Sequence, residues 1–255
     1  HIRNLPLRPS TWCRIRAEHG AHIRKFALAR KGKSVRLFKT FTWNRESVLL
    51  VSHFIFDGEI RTYGCCYNNR NMALLERVEN LMKHIYNYEP KRYHNTLTGV
   101  SRISYFNVAL GRYIREKANE LLGTIDGMSI HLKTEFVRAF FDDEGCMDFR
   151  PMRNLRRIRG YQKNASILYL VNALLKDFDI ASSVKKPNEI VITGKSNLLK
   201  FQNEINFSPG VRINGKRSNS IWKQSLEKRS LLTLAIRSYK PAGSNGVHRV
   251  AATFN

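Results

Sequence analysis

The sequence is poor in acids. Against 44 lysines and arginines stand only 20 aspartates and glutamates, a formal net charge of +24 with a pI near 10.3. Such an imbalance calls for a polyanionic partner, nucleic acid before any other. Cysteines are few. The four, Cys13, Cys65, Cys66 and Cys146, show no Cys-x-x-Cys spacing. A zinc site is therefore unsupported, and reduced, partly buried thiols are the simple reading. No apolar run approaches the ~20 residues of a spanning helix, so no membrane partner is expected. No signal peptide is visible at the start. The expected setting is cytoplasmic (prokaryotic) or organellar, not secreted. The eight histidines are scattered. No Ser/His/Asp or Cys/His constellation offers a covalent nucleophile.

What the chain does contain is a repeated segment. One copy is Phe136-Val137-Arg138-Ala139-Phe140-Phe141-Asp142-Asp143-Glu144-Gly145, and the other is Leu49-Leu50-Val51-Ser52-His53-Phe54-Ile55-Phe56-Asp57-Gly58. Each is an apolar helical stretch with one small residue midway, ending in acid-Gly. Aligning the glycines places Asp57 against Glu144 and Ser52 against Ala139, at an offset of 87 residues. A helix apolar almost all round is buried on all sides, and small residues allow two such helices to approach closely. Glycine is common just past a helix C-terminus. Paired side by side, the helices bring Asp57 and Glu144 to one end, where a hard divalent cation relieves their repulsion. The plainer reading is two core helices, each ending in a solvated acid.

These segments resemble the motifs of the LAGLIDADG homing endonucleases, in the single-chain form with two copies. FVRAFFDDEG is a close match; LLVSHFIFDG is degenerate, with His53 in a usually apolar place. The resemblance covers roughly residues 45–229. It implies that Asp57 and Glu144 bind the catalytic metal next to Gly58 and Gly145, with two or more Mg²⁺ ions at the motif-helix interface. It implies hydrolysis of both strands of duplex DNA at a long, near-palindromic target by an intron-encoded monomer. Members often carry Gln or Asn then Lys at the end of the second strand. Gln162-Lys163 fits in the second repeat. Asn68-Asn69 takes that place in the first, where the lysine is missing. Lys216 matches a further basic residue. A second function stays open: a nucleic-acid-binding protein on the same scaffold without cleavage, as an intron maturase binding intron RNA, an RNA-binding factor or a regulator.

The pattern along the chain predicts an α+β fold, two pseudo-symmetric αββαββα repeats. The resemblance makes these a DNA-binding saddle. The expected layout is a basic N-terminal extension at 1–44, a first repeat at 45–123, a linker at 124–133, a second repeat at 134–237 and a tail at 238–255. Ser10 is a candidate cap in the extension, where an arm is favoured over a helix-turn-helix. The first hairpin is expected to turn near Gly64, with Arg61, Tyr63, Cys65 and Tyr67 on one face at period two. On the second hairpin Leu155, Arg157, Arg159, Tyr161 and Lys163 share a face, with Arg153 and Arg156 beside them. Lys185 and Lys186 end the strand at 183–186 and join the candidate DNA contacts. A two-stranded ribbon fits the major groove, where arginine reads guanine; others of these cations touch phosphate only.

Overall fold

The first motif becomes a helix because its start is specified as well as its middle. Asn44 caps α1 (Arg45–Phe56) in a reciprocal box: its side chain accepts from the Ser47 N–H, and Ser47 Oγ accepts from the Asn44 N–H. Val48, Leu50, Val51, Phe54 and Phe56 are buried along it. The second motif lies in α4 (Ile130–Asp143), which buries Phe136, Val137, Ala139, Phe140 and Phe141. In this computed structural model, which describes residues 35–38, 41–215 and 221–239, α1 and α4 form the most extensively packed helix pair. Ser52 and Ala139 are both fully buried. The Phe56 ring meets those of Phe136 and Phe140 edge-on, each at 5.3 Å. The Ser10 helix, nearly all of the N-terminal extension, Lys216 and the tail from residue 240 lie outside the described residues.

The glycines after the two acids serve close approach rather than a left-handed cap. Neither Gly58 nor Gly145 has a positive φ. A Cβ on Gly58 would stand 2.4 Å from the Phe54 Cα and carbonyl oxygen, and one on Gly145 2.5 Å from the Phe141 oxygen. Each strand leaves its helix directly over the last turn, so any side chain there strikes backbone.

After α1 come β1 (Gly58–Arg61), β2 (Gly64–Asn69), α2 (Met72–Tyr86), β3 (Lys91–Asn95), β4 (Val100–Tyr105) and α3 (Val108–Thr124). After α4 come β5 (Gly145–Arg150), β6 (Leu155–Tyr161), α5 (Ala165–Lys176), β7 (Ser182–Lys185), β8 (Glu189–Thr193), α6 (Lys195–Glu204) and α7 (Lys228–Arg237). The two antiparallel sheets have the same order, β1-β2-β4-β3 and β5-β6-β8-β7. One core lies behind each. The first joins Leu50 and Phe54 to Leu74, Val78, Ile103 and Ile114; the second joins Phe140 and Phe141 to Ile158, Leu168, Ile190 and Phe201. The mixed α+β architecture expected from the pattern is the one observed.

Three local expectations change. The stretch between the repeats is largely helical, since α3 runs to Thr124, a 3-10 turn spans Ile125–Gly127 and α4 starts at Ile130. The final helix, at the end of the second repeat expected over 134–237, starts only at Lys228. Backbone bonds from Ile213 N to Leu226 O and from Lys228 N to Val211 O, both 2.8 Å, hold the preceding segment extended. The first hairpin turns at Thr62-Tyr63, because Arg61 pairs with Gly64. A two-residue turn resets the alternation, so counting at period two across it gives the wrong face. Arg61 shares its face with Cys66 and Asn68, whereas Cys65 and Tyr67 point into the core.

Candidate active site and nucleic-acid interface

Asp57 and Glu144 are the C-terminal caps of α1 and α4, their N–H groups donating to the His53 oxygen (3.1 Å) and the Phe140 oxygen (2.9 Å). Each passes its own carbonyl to the neighbouring strand, accepting from Asn68 N (3.4 Å) and Tyr161 N (3.1 Å) respectively. An amide then engages one carboxylate oxygen of each acid: Asn69 Nδ2 to Asp57 Oδ2 at 2.8 Å, and Gln162 Nε2 to Glu144 Oε1 at 3.1 Å. Burial, then the charges of Asp143 and Glu144, pushes Asp57 up to about 8. Burial, then Asp143, pushes Glu144 up to about 7. Helix C-termini add their negative dipole ends to the same place.

The opposing charge is Lys228, a residue that no pattern in the sequence singles out. It is buried at the first position of α7, and its ammonium donates to the Phe141 and Asp142 carbonyls of α4 at 3.1 and 2.7 Å. Burial lowers its pKa while Asp142, Cys146, Asp143 and Asp57 work against that. Its charge lowers both Asp57 and Glu144, yet both stay raised.

The strand register changes one equivalence. Gly58 pairs with Tyr67 and Gly145 with Gly160, so Gln162 corresponds to Asn69, not Asn68. The basic residue after it is present, as Arg70 opposite Lys163. The next residues, Asn71 and Asn164, begin α2 and α5 as N-caps, and their N–H groups donate to the side chains of Asn69 (2.8 Å) and Gln162 (3.3 Å). Arg70 and Lys163 are both exposed. Asn68 lies on the open face of its sheet opposite Arg102. Aligning Asn-Arg-Asn with Gln-Lys-Asn just before a helix is the sequence signal that identifies the match.

The other two acids of the second motif point elsewhere. Asp142 is fully buried and accepts from Ser208 N at 2.9 Å, with Arg77 Nη1 at 3.6 Å. Asp143 accepts from His53 Nδ1 at 2.8 Å and from the Tyr67 hydroxyl at 2.5 Å. Among the described residues no three His, Cys, Asp or Glu side chains converge as a ready-made metal site. Asp57 and Glu144 nevertheless fit a hard divalent cation, because both are oxygen donors and, after burial, the charge of the neighbouring Asp143 is what raises them most.

The helix-free faces of the sheets carry the cations. On the second sheet, Arg157 stands opposite Asp148, Arg159 opposite Cys146, and Tyr161 and Lys185 opposite Glu189. Asp148 accepts from Arg150 (2.9 Å) and Arg157 (3.0 Å), which hold it below its ordinary value against the opposing effect of burial. Arg159 pairs with Glu189 and lies 3.6 Å from Asp148. On the first sheet Arg61 and Arg102 both pair with Glu59, and the Arg102 guanidinium lies 2.7 Å from Cys66 Sγ. These residues, with Tyr63, Tyr93 and Phe106, line a cavity of about 310 Å³.

Two expected DNA contacts leave this face. Tyr67 is fully buried in the core. Arg156 has the parity of Ile158 and Gly160, so it lies on the helix side, where it donates to Ser238 Oγ and O and stacks on the Tyr239 ring at 4.7 Å. Tyr63 sits in the turn, accepting from Arg61 at 2.7 Å and stacked on Phe106. Arg153 lies in the exposed 3-10 turn between β5 and β6, and Lys186 follows β7.

A family model described as a LAGLIDADG-like domain matches residues 131–206. Compared by sequence with the curated proteins, the chain matches none. Among solved structures it is similar to mesophilic variants of the homing endonuclease I-DmoI, at 15% identity over 65% of this chain and 94% of that one, TM-score 0.52. A variant of I-DmoI in complex with its target DNA and in the presence of Mn matches at 14% identity over 65% and 96%, TM-score 0.52. Full-length DUF199/WhiA from Thermatoga maritima matches at 16% identity over 81% of this chain and 65% of that one, TM-score 0.52. At these identities the likeness is one of fold. Residues 131–206 thus match a LAGLIDADG-like domain, and the architecture of this chain is the fold seen in I-DmoI and DUF199/WhiA.

Proposed function

We propose that the protein is a site-specific, metal-dependent endonuclease of double-stranded DNA. The observation that carries this reading is the pair of helix-end acids, Asp57 and Glu144. Each is held by an amide from its own repeat, and each is raised in pKa first by burial and then by neighbouring acids. Binding alone does not require such a pair. I-DmoI, solved with target DNA and in the presence of Mn, supports both the substrate class and the use of a divalent metal. Divalent cations held by Asp57 and Glu144 would supply an activated water and stabilise the leaving oxygen.

The chain's own residues do the rest. The open sheet faces, with Arg61, Arg102, Arg150, Arg157, Arg159 and Lys185, bind the polyanion and orient it. Asn69 and Gln162 fix the direction of the two carboxylates. Arg70 and Lys163 follow them and present positive charge towards a phosphate carried in front of the acids. Two half-sites built by two similar repeats fit a long, near-palindromic target cut by a monomer.

One observation favours a second reading, binding without cleavage. Lys228 already places a buried ammonium among the acids, so the fold tolerates them without metal. A plasmid library carrying randomised duplex inserts separates the two. The endonuclease gives cut ends at one family of related sites, with Mg²⁺ and not with EDTA. Tight, salt-sensitive binding with no cut in either condition establishes the second reading instead.

A further inference from the structure

We propose that Asp143 is a positioning residue for Asp57, acting across the repeat boundary through Tyr67 and Asn69, and that it is not a metal ligand. The inference rests on the metal-dependent reading above. Asp143 belongs to α4, in the second repeat. Its two oxygens are taken by residues of the first: His53 Nδ1 donates to Oδ2 at 2.8 Å, and the Tyr67 hydroxyl donates to Oδ1 at 2.5 Å. The His53 and Asp143 side chains are both wholly shut off from solvent, and so is Tyr67. Both oxygens of Asp143 are thus engaged by the first repeat.

The hydrogens then run in one direction. Having given its proton to Asp143, the Tyr67 oxygen accepts from Asn69 Nδ2 at 3.1 Å. The second hydrogen of that amide goes to Asp57 Oδ2 at 2.8 Å. The Asn69 carbonyl oxygen accepts from Asn71 N at 2.8 Å, which fixes which end of the amide is nitrogen. Reversing any link leaves a buried donor or acceptor unpaired. Hydrogen bonds placed behind a ligand in this way set its orientation.

The two repeats differ here in a way that gives the arrangement meaning. By the motif offset, His53 matches Phe140 and Asp143 matches Phe56. Each is therefore a polar residue where the other motif has phenylalanine, and the two compensate each other. Tyr67 matches Gly160, over which Phe140 is laid: a Cβ on Gly160 would stand 2.4 Å from Phe140 Cε1. In the first repeat the pairing is His53 beside Tyr67, ring centroids 5.6 Å apart. The second repeat thus has no hydroxyl in the place that supports Asn69. The relay serves Asp57 alone.

The test is Mn²⁺ binding to the full chain, followed by calorimetry, with melting curves to check folding. Tyr67→Phe is expected to weaken Mn²⁺ by roughly 10- to 100-fold, the usual cost of removing a residue that orients a ligand. It should have no further effect in an Asp57→Asn background, and a full effect in a Glu144→Gln background. Asp143→Asn also removes a charge felt by both Asp57 and Glu144, so it should weaken Mn²⁺ at least as much, with most of that loss absent in an Asp57→Asn background. If Tyr67→Phe fails to fold, the Asp143→Asn and Asp57→Asn combination decides alone. A loss on adding Asp143→Asn to Asp57→Asn as large as its loss in the wild-type chain overturns the inference, because Asp143 then acts independently of Asp57. Wild-type affinity in Tyr67→Phe overturns it while leaving the metal reading intact. A wild-type chain that binds no Mn²⁺ removes that reading, and the inference with it.

Discussion

Asn69 and Gln162 occupy the same place in the two repeats, although their numbers differ by 93 and those of the acids they serve by 87. The difference is taken up in the hairpins. Gly58 is matched to Tyr67 nine residues on, and Gly145 to Gly160 fifteen residues on. The equivalence carries Arg70 into the position of Lys163. If both stabilise charge at a phosphate, each acts on one strand. Arg70→Ala is expected to slow one strand's cleavage by about 10²-fold, the scale of losing one electrostatic donor, and Lys163→Ala the other's. Accumulation of nicked plasmid, with the nick on opposite strands in the two variants, is the readout. Equal slowing of both strands by either variant would contradict the assignment.

The raised acids give the metal-free protein a pH dependence of definite sign. Asp57 is pushed up to about 8 and Glu144 to about 7, whereas an unfolded chain releases both protons near pH 4. Between those limits the folded state holds more protons. Their contribution to stability is fully present below about pH 4 and is lost as pH rises through about 7 to 8. In EDTA, the drop in Tm between about pH 6 and 8.5 should be smaller for Asp57→Asn and for Glu144→Gln than for wild type. An unchanged drop in both variants would show that neither acid is raised.

Asp148 tests how the second sheet reads DNA. It holds Arg150 and Arg157 at 2.9 and 3.0 Å and lies 3.6 Å from Arg159. Pinned guanidiniums present their forks in fixed directions, which suits paired hydrogen bonds to guanine. Asp148→Asn removes a charge repelled by phosphate, so affinity for random duplex should rise. Discrimination between cognate and random duplex should fall about 10-fold or more, on the scale of one base contact. Competition gel shifts measure both. A uniform rise for all sequences would mean that these arginines contact phosphate only.

Arg157→Ala separates the same alternatives by salt. If Arg157 neutralises a phosphate, its removal lowers the log–log salt slope by about 0.9 for every sequence. If it reads a base edge, its removal should instead relax preference at one position, at a cost of about 1–3 kcal/mol there. Titrations at several salt concentrations, on cognate duplex and on single-base variants, distinguish the two.

The architecture was legible because its signals are periodic and doubled: two apolar helices ending in acid-Gly, each followed by hairpin, helix, hairpin and helix. The acids themselves were legible for the same reason. What could not be read was phase. Nothing in Arg61-Thr62-Tyr63-Gly64 announces that the turn takes two residues, and that count decides whether Tyr67 faces DNA or the core. The same shift displaced Asn69 by one. Lys228 was hidden because a buried lysine carries no local pattern; only the packing of α7 against the end of α4 brings it to the acids. His53 was visible as a departure from apolar pattern, but its complementarity with Asp143 depends on the contact between α1 and α4.

The most direct measurement is cleavage of a target recovered from the plasmid library by wild type and Glu144→Gln, with binding followed in parallel in Ca²⁺. The substitution keeps the shape of the side chain and removes the charge a cation needs. The account predicts that cutting in Mg²⁺ collapses while binding in Ca²⁺ persists, since the cations on the open sheet faces are untouched. Undiminished cutting by Glu144→Gln would contradict it.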